Sequence, residues 1–116
     1  MKPPITYQLT IHLNKTVMIS IGKLGTFEFP AGDYIYTGSA KRNIEARITR
    51  HLSQQKSLKW HIDYLLSNEE ASITHVERYA EPECSINQKT TGMVLIQRLG
   101  ATDCKHGCGS HLKFLG

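Results

Sequence analysis

The hydrophobic pattern of the sequence changes its period near Gly38, and this change constrains the fold more than any other feature. Before it, residues 5–12 (ITYQLTIH) alternate apolar and polar side chains, which is typical of a half-buried strand. After it, Ile44, Ile48 and Leu52 recur at helical spacing, which predicts an amphipathic helix of about three turns. A chain that begins with strands and continues with helices predicts an α+β domain.

The remaining elements follow the same rules. Short β-rich runs predict strands at TVMISI, TFEF, DYIYTG and SITHVERY and at the end of the chain. Helical spacing predicts a second helix at LKWHIDYLLSN, and Pro82 begins a third that extends to Gly100. We expect the first two strands to form a hairpin, and Ser39 or Asn43 to cap the first helix. The prediction is a small, mainly antiparallel sheet with helices packed against it and an extra N-terminal hairpin.

Length and composition indicate one globular domain. The chain has 116 residues, of which 40% are hydrophobic and 21% charged, enough for a single core. Its longest aliphatic run, MVLI, is too short for a signal core or a membrane span, so we expect a cytoplasmic protein. The net charge of +4 and pI near 9.1 favour an anionic partner without identifying it.

The three cysteines are an odd number and argue against a disulfide framework. Cys104, Cys108 and His111, with Cys84 or His106 as a fourth ligand, would suit a structural zinc ion. Zinc sites usually have two closely spaced ligand couples, and only one is present. We therefore favour buried thiols over zinc.

Tyrosines crowd the stretch AGDYIYTGSA, where Tyr34 and Tyr36 lie two residues apart. The strand ends in Tyr-x-Gly, where we expect the glycine to let the backbone turn tightly. The helix that follows carries Arg47 and His51 four residues apart, hence adjacent on one face. A phenol, a guanidinium and an imidazole in this order can converge on a phosphate. From the pattern alone we would favour a core role for Tyr36 and a solvated surface position for Arg47, which has Arg50 as its rival.

Several blocks carry a resemblance to a known family: YIYTGSA (34–40), ARITRHL (46–52), WHIDYLL (60–66), EC (83–84) and TDCKHGCGSHL (102–112). They resemble the GIY-YIG nuclease superfamily, and more closely a small stand-alone prokaryotic branch of it whose function is unknown. Tyr36 matches the tyrosine of the second motif. The first motif falls on Tyr7, where Ile5 replaces the usual glycine, and a hairpin inserted at TVMISIGKLGTFEF accounts for the long gap between the two tyrosines.

The resemblance implies a divalent-metal-dependent endonuclease that hydrolyses phosphodiester bonds in nucleic acid. We favour DNA over RNA as its substrate. One tyrosine activates water, the helix arginine stabilises the phosphate, and a glutamate holds Mg²⁺ or Mn²⁺, as a hard cation requires. Glu81 is the alternative to Glu83 as the glutamate that binds the metal ion. The implied catalytic residues are Tyr7, Tyr36, Arg47, His51 and Glu83, with Glu83 as metal ligand; Lys41, Arg42, Arg50 and His61 are implied to bind nucleic acid.

Two other functions fit the sequence. A non-cleaving nucleic-acid-binding domain would keep the groove without a competent first motif, as the departure at Ile5 allows. A zinc-stabilised interaction module would be organised by the cysteine-rich tail. Beyond the core we see no segment that would recognise a particular nucleic-acid sequence or structure. If the protein is a nuclease, we therefore expect a partner protein to supply its substrate specificity.

Overall fold

The computed structural model describes residues 4–40, 43–53, 61–82, 85–86, 90 and 112–116, apart from the side chains of residues 23 and 61. Within these ranges the chain forms strands and helices in the predicted order, and residues 85–86 are also helical. The remainder of the third predicted helix lies outside the described residues. The strands are β1 (Thr6–Leu13), β2 (Val17–Ile21), β3 (Gly25–Phe29), β4 (Gly32–Ser39), β5 (Ala71–Tyr79) and β6 (Leu112–Phe114); the helices are α1 (Ile44–Leu52) and α2 (His61–Leu66).

Four strands form one sheet in the order β5-β1-β4-β6, with every neighbouring pair antiparallel. β1 lies inside the sheet, so its backbone groups bond on both edges, to β4 and to β5. Residues of α1 and α2 share one core with this sheet. The predicted α+β class with a mainly antiparallel sheet is therefore confirmed.

The inserted hairpin predicted at TVMISIGKLGTFEF is confirmed. β2 pairs with β3, from Val17 opposite Phe29 to Ile21 opposite Gly25, and the two form a separate sheet. The expected hairpin between β1 and β2 is wrong, because β4 and β5 occupy both edges of β1. The hairpin is thus an insertion between β1 and β4.

One face of the sheet carries the apolar core. The alternate residues Tyr7, Leu9, Ile11 and Leu13 of β1 are at most 2% exposed. They pack in one cluster with apolar residues of both helices, which are Ile44, Ile48, Ile62 and Leu65. Burial of such side chains contributes about 1.5–3 kcal/mol each, so this face fixes the helices on the sheet.

The first helix begins where one of the two predicted caps lies. Asn43 accepts a hydrogen bond from the backbone N–H of Ala46 through its side chain (3.2 Å), with a left-handed φ of 52° that asparagine tolerates. α1 has 9 residues and the described part of α2 has 6. Across the described residues, we find no helix with the length and apolarity needed to cross a membrane.

The opposite face of β1 is buried in the first half of the strand, unlike the half-buried strand predicted, and is half-buried at Thr10 and His12. Thr6 is fully buried and Gln8 is 9% exposed. The Gln8 side-chain amide donates to the hydroxyls of Thr37 (3.1 Å) and Thr90 (2.6 Å), and its oxygen accepts from the Tyr79 hydroxyl (3.2 Å). Residues remote in sequence therefore cover this face and satisfy its polar groups, as buried polar groups require.

Tyr34 is a core residue. Its side chain is fully buried, its ring contacts Phe29 and Phe114, and its hydroxyl donates to the Pro30 carbonyl oxygen at 2.6 Å. Burial raises the pKa of Tyr34 to about 12. Of the two tyrosines in the crowded stretch, Tyr34 thus stabilises the fold.

This raised pKa predicts an alkaline loss of stability. An ordinary phenol ionises near pH 10, so the unfolded chain releases this proton before the folded one does. The contribution of Tyr34 to the unfolding free energy is complete below pH 10 and is lost as the pH rises through 12. We expect the difference in unfolding free energy between wild type and Tyr34→Phe to fall by about 2–3 kcal/mol between pH 9 and 12, measured by urea denaturation. A difference that stays constant with pH would contradict the assignment.

Candidate functional site

Two tyrosines reach the helix-covered face of the sheet from neighbouring strands. In the pairing of β1 with β4, Tyr7 lies opposite Gly38 and Leu9 lies opposite Tyr36. Opposite residues of an antiparallel pair project from the same face, so Tyr7 and Tyr36 are diagonal neighbours there. Tyr7 is 2% exposed and Tyr36 7%. The strand pairing therefore brings together two phenols that are 29 positions apart in sequence.

His51 of α1 contacts both tyrosines. Its Nε2 lies 2.6 Å from the Tyr7 hydroxyl oxygen in a buried hydrogen bond, and its ring meets Tyr36 edge-on with centroids 6.0 Å apart. Either the phenol donates to a neutral imidazole or a protonated nitrogen donates to the phenol oxygen. In both cases the bond supports movement of a proton between the two rings. We call Tyr7, Tyr36 and His51 the tyrosine–histidine cluster.

Gly38 is required by the ring of Tyr7. A Cβ atom at this position would lie 2.5 Å from the Tyr7 hydroxyl oxygen and 2.6 Å from Cζ. Gly38 belongs to β4 and is not among the described glycines with positive φ. The expectation that this glycine allows a tight turn is therefore wrong: the absence of a side chain lets the Tyr7 ring cross the backbone of β4 on its way to His51.

The two arginines of α1 have different surroundings. Arg47 is exposed, and its guanidinium donates to the Ser39 carbonyl oxygen at 2.8 Å, at the end of β4. Arg50 forms two hydrogen bonds of 3.0 Å to the two carboxylate oxygens of Asp63, which is fully buried. This pair joins α1 to α2. The predicted roles, phosphate stabilisation for Arg47 and nucleic-acid binding for Arg50, stay predictions. Arg47 is the more exposed of the two, since the side chain of Arg50 is only 27% exposed.

Comparison with known proteins identifies the family. Residues 6–116 match a family described as a domain of unknown function, DUF123. The chain belongs to this family. The match includes the six strands and the two helices named above. Neither the comparison with curated proteins nor that with solved structures gives a match. The function of this DUF123 domain must therefore be argued from its site.

Replacing Gly38 by alanine in the DUF123 domain should displace the Tyr7 ring. A contact of 2.5 Å cannot be accommodated, and the ring is held by burial and by His51. We expect a loss of about 1–3 kcal/mol in unfolding free energy, as overpacking of a core usually costs. Urea denaturation measures this loss. In a Tyr7→Leu background, where the clashing atoms are removed, Gly38→Ala should cost much less; an equal cost in both backgrounds would show that another contact is responsible.

Several predicted site residues lie outside the described residues. In the described ranges, no three or more histidine, cysteine, aspartate or glutamate side chains are placed to hold a metal ion. Glu83, the predicted ligand of Mg²⁺ or Mn²⁺, is outside these ranges. For His61 only the backbone is described. The residues concerned are Lys41, Arg42, Glu83 and the five candidate zinc ligands Cys84, Cys104, His106, Cys108 and His111.

Sequence reasoning missed one residue beside the cluster. Arg78 of β5 lies opposite Tyr7, on the side away from Gly38. Its guanidinium donates to both carboxylate oxygens of Glu45 in the first turn of α1, at 2.6 and 2.7 Å. No local signal marks Arg78, because the register of β5 on β1 shifts between Thr10 and Ile11. Only the paired strands reveal that it flanks Tyr7.

Proposed function

We propose that this DUF123 domain is a GIY-YIG-type endonuclease that hydrolyses phosphodiester bonds in DNA with Mg²⁺ or Mn²⁺. The tyrosine–histidine cluster carries the proposal. Its phenols come from two paired strands, and its imidazole comes from the next helix. Arg47 lies one turn before His51 and is exposed. The net charge of +4 favours association with a polyanion.

Tyr7 and His51 provide a path for the proton of the attacking water. In the tautomer with the proton on Nδ1, the Tyr7 hydroxyl donates to Nε2 of His51. As the water oxygen bonds to phosphorus, water passes a proton to the phenol oxygen and the phenol passes its own to Nε2. The phosphorus–oxygen bond to the leaving group breaks, and that oxygen takes a proton from solvent. General base catalysis of this kind contributes about 10²- to 10⁴-fold.

Arg47 is assigned to the phosphate. Its guanidinium lies beside the end of β4, at the edge of the cluster, and a guanidinium matches the geometry of phosphate oxygens. Stabilisation of the developing negative charge by such a donor is worth about two to three orders of magnitude in rate.

The divalent cation is assigned to Glu83. A bound Mg²⁺ or Mn²⁺ neutralises phosphate charge and needs carboxylate oxygen together with water ligands. The tyrosine–histidine cluster itself has no carboxylate. The chain returns to this end of the sheet after β5, because the Thr6 hydroxyl donates to the Glu81 carbonyl oxygen and Thr6 adjoins Tyr7. A carboxylate supplied by the segment after β5 fits this arrangement.

A non-cleaving DNA-binding domain is the second candidate. Tyr7 and His51 are each only 2% exposed, and such burial also suits a purely structural hydrogen bond. The exposed Arg47 would keep its phosphate contact in such a domain. The two candidates differ in whether the cluster reacts, so a cleavage assay separates them.

The deciding experiment measures cleavage of duplex, nicked, branched and single-stranded DNA, and of RNA, with Mg²⁺, Mn²⁺ or a chelator. We expect metal-dependent cutting of DNA by wild type and a loss of at least about 100-fold in Tyr36→Phe and Glu83→Gln. Lys15→Ala, which removes a positive charge beyond the far end of β1, is the control and should cut normally. Tight, salt-sensitive binding without cutting would favour the second candidate. One tightly bound zinc per chain would favour an interaction module instead.

A further inference from the structure

The site has basic groups on two sides of Tyr7. On the β4 side, the Arg47 guanidinium contacts the carbonyl of Ser39. On the β5 side, Arg78 lies directly opposite Tyr7 and shares its face of the sheet. Neighbouring strands are about 4.8 Å apart, so two such spacings span about 10 Å. The two arginines can therefore contact different phosphates of one nucleic-acid strand.

Arg78 is held by a partner that, like a phosphodiester, carries one negative charge and offers two acceptor oxygens. Both oxygens of Glu45 accept hydrogen bonds from the Arg78 guanidinium, the same bidentate geometry that arginine forms with phosphate. The two hydrogen bonds hold the pKa of Glu45 below its usual range and raise that of Arg78. Both groups are therefore charged at neutral pH.

The ion pair is open to solvent. The side chain of Arg78 is 39% exposed and that of Glu45 62% exposed. Ion pairs in such surroundings contribute little to stability, because water and salt screen them. A substrate phosphate can therefore replace the Glu45 carboxylate without loss of the fold.

The geometry points to Arg78 as a second phosphate-binding residue of this site, occupied by the Glu45 carboxylate until DNA displaces it. This inference rests on the proposed function, since it assumes that the cluster faces a DNA strand. Glu45 then acts as an internal competitor that weakens binding of any polyanion. It favours ligands that contact Arg47 and Arg78 together, because only they gain enough to replace the carboxylate.

Equilibrium binding tests the inference without requiring cleavage. The probe is a fluorescent DNA duplex with a single-stranded branch, bound in a chelator and followed by anisotropy over a range of salt concentrations. The variants are Glu45→Gln, Arg78→Ala, Arg78→Lys and the double variant Glu45→Gln/Arg78→Ala. Glu28→Gln, at an exposed position in β3, controls for loss of a negative charge, and Lys15→Ala controls for loss of a positive one. Circular dichroism confirms that each variant is folded.

We expect Glu45→Gln to tighten binding about 3- to 10-fold and Arg78→Ala to weaken it about 10-fold, with a salt dependence that is less steep by about one counterion. Arg78→Lys should recover only part of the affinity, because lysine lacks the bidentate fork. In the Arg78→Ala background, Glu45→Gln should have no more effect than Glu28→Gln. Such non-additivity is the signature of two residues that act through one contact.

The outcomes separate this inference from the proposed function. If wild type binds DNA but Arg78→Ala behaves like Lys15→Ala, or if Glu45→Gln acts equally in both backgrounds, the inference alone is overturned. If the expected binding pattern holds while wild type cuts nothing, Arg78 keeps its role and the nuclease fails. If wild type binds no DNA even at low salt, both are overturned. Tighter binding of a matched RNA probe with the same variant pattern would keep the phosphate site and reassign its substrate.

Discussion

Tyr7→Phe is expected to lower the rate of DNA cleavage by about 10²- to 10⁴-fold, the range for loss of a general base, whereas Tyr34→Phe should leave the rate within a few-fold of wild type. The two substitutions are closely matched. Each removes one hydroxyl from a tyrosine at most 2% exposed, and each breaks one hydrogen bond of 2.6 Å. They differ in the partner, which is His51 for Tyr7 and the Pro30 carbonyl for Tyr34. Only the first bond can pass a proton.

Single-turnover cleavage with saturating enzyme measures the effect, so that weaker binding does not contribute to it. Unfolding free energies of both variants should fall by a similar amount, about 0.5–1.5 kcal/mol for one hydrogen bond. If both variants lose cleavage equally, the loss comes from the fold, and the water-activating role of Tyr7 is wrong. If neither does, His51 and Tyr7 form a structural contact.

The class of fold could be predicted because it depends on local patterns. Alternation in β1 and helical spacing after Gly38 are both visible within a few residues, and the structure confirms the α+β class that they imply. Which strands pair with each other was harder to predict from the sequence. β2 follows β1 after a short turn, yet β1 bonds to β4 and β5, since a central strand buries more apolar surface than a hairpin strand would. No local sequence pattern indicates which strand will pair with β1.

The candidate site depends still more on distant contacts. The adjacency of Arg47 and His51 follows from helical geometry, but their surroundings do not: Arg47 is exposed and His51 is 2% exposed. The steric need for Gly38 comes from a ring 31 positions earlier in the sequence, which a rule for turn glycines cannot anticipate. Such features appear only when the strands are paired.

Arg50→Ala should produce the largest loss of stability among these variants, about 3–5 kcal/mol, the usual cost of leaving one partner of a buried ion pair without the other. Asp63 is fully buried and accepts two charged hydrogen bonds of 3.0 Å from Arg50. The pair also holds α1 against α2, and α1 carries His51 as the next residue. Urea denaturation at pH 7 measures the loss.

Arg47→Ala is the matched control, since it removes the same side chain from an exposed position one turn earlier and should cost less than about 1 kcal/mol. Neutralising the buried charge should recover part of the loss, so Arg50→Ala/Asp63→Asn should be more stable than Arg50→Ala. Equal losses in Arg50→Ala and Arg47→Ala would show that the pair does not hold the helices together. The two arginines of α1 should also differ in function. Because Arg50 already binds a buried carboxylate, Arg47→Ala and not Arg50→Ala should reduce the salt dependence of DNA binding, as we also expect of Arg78→Ala.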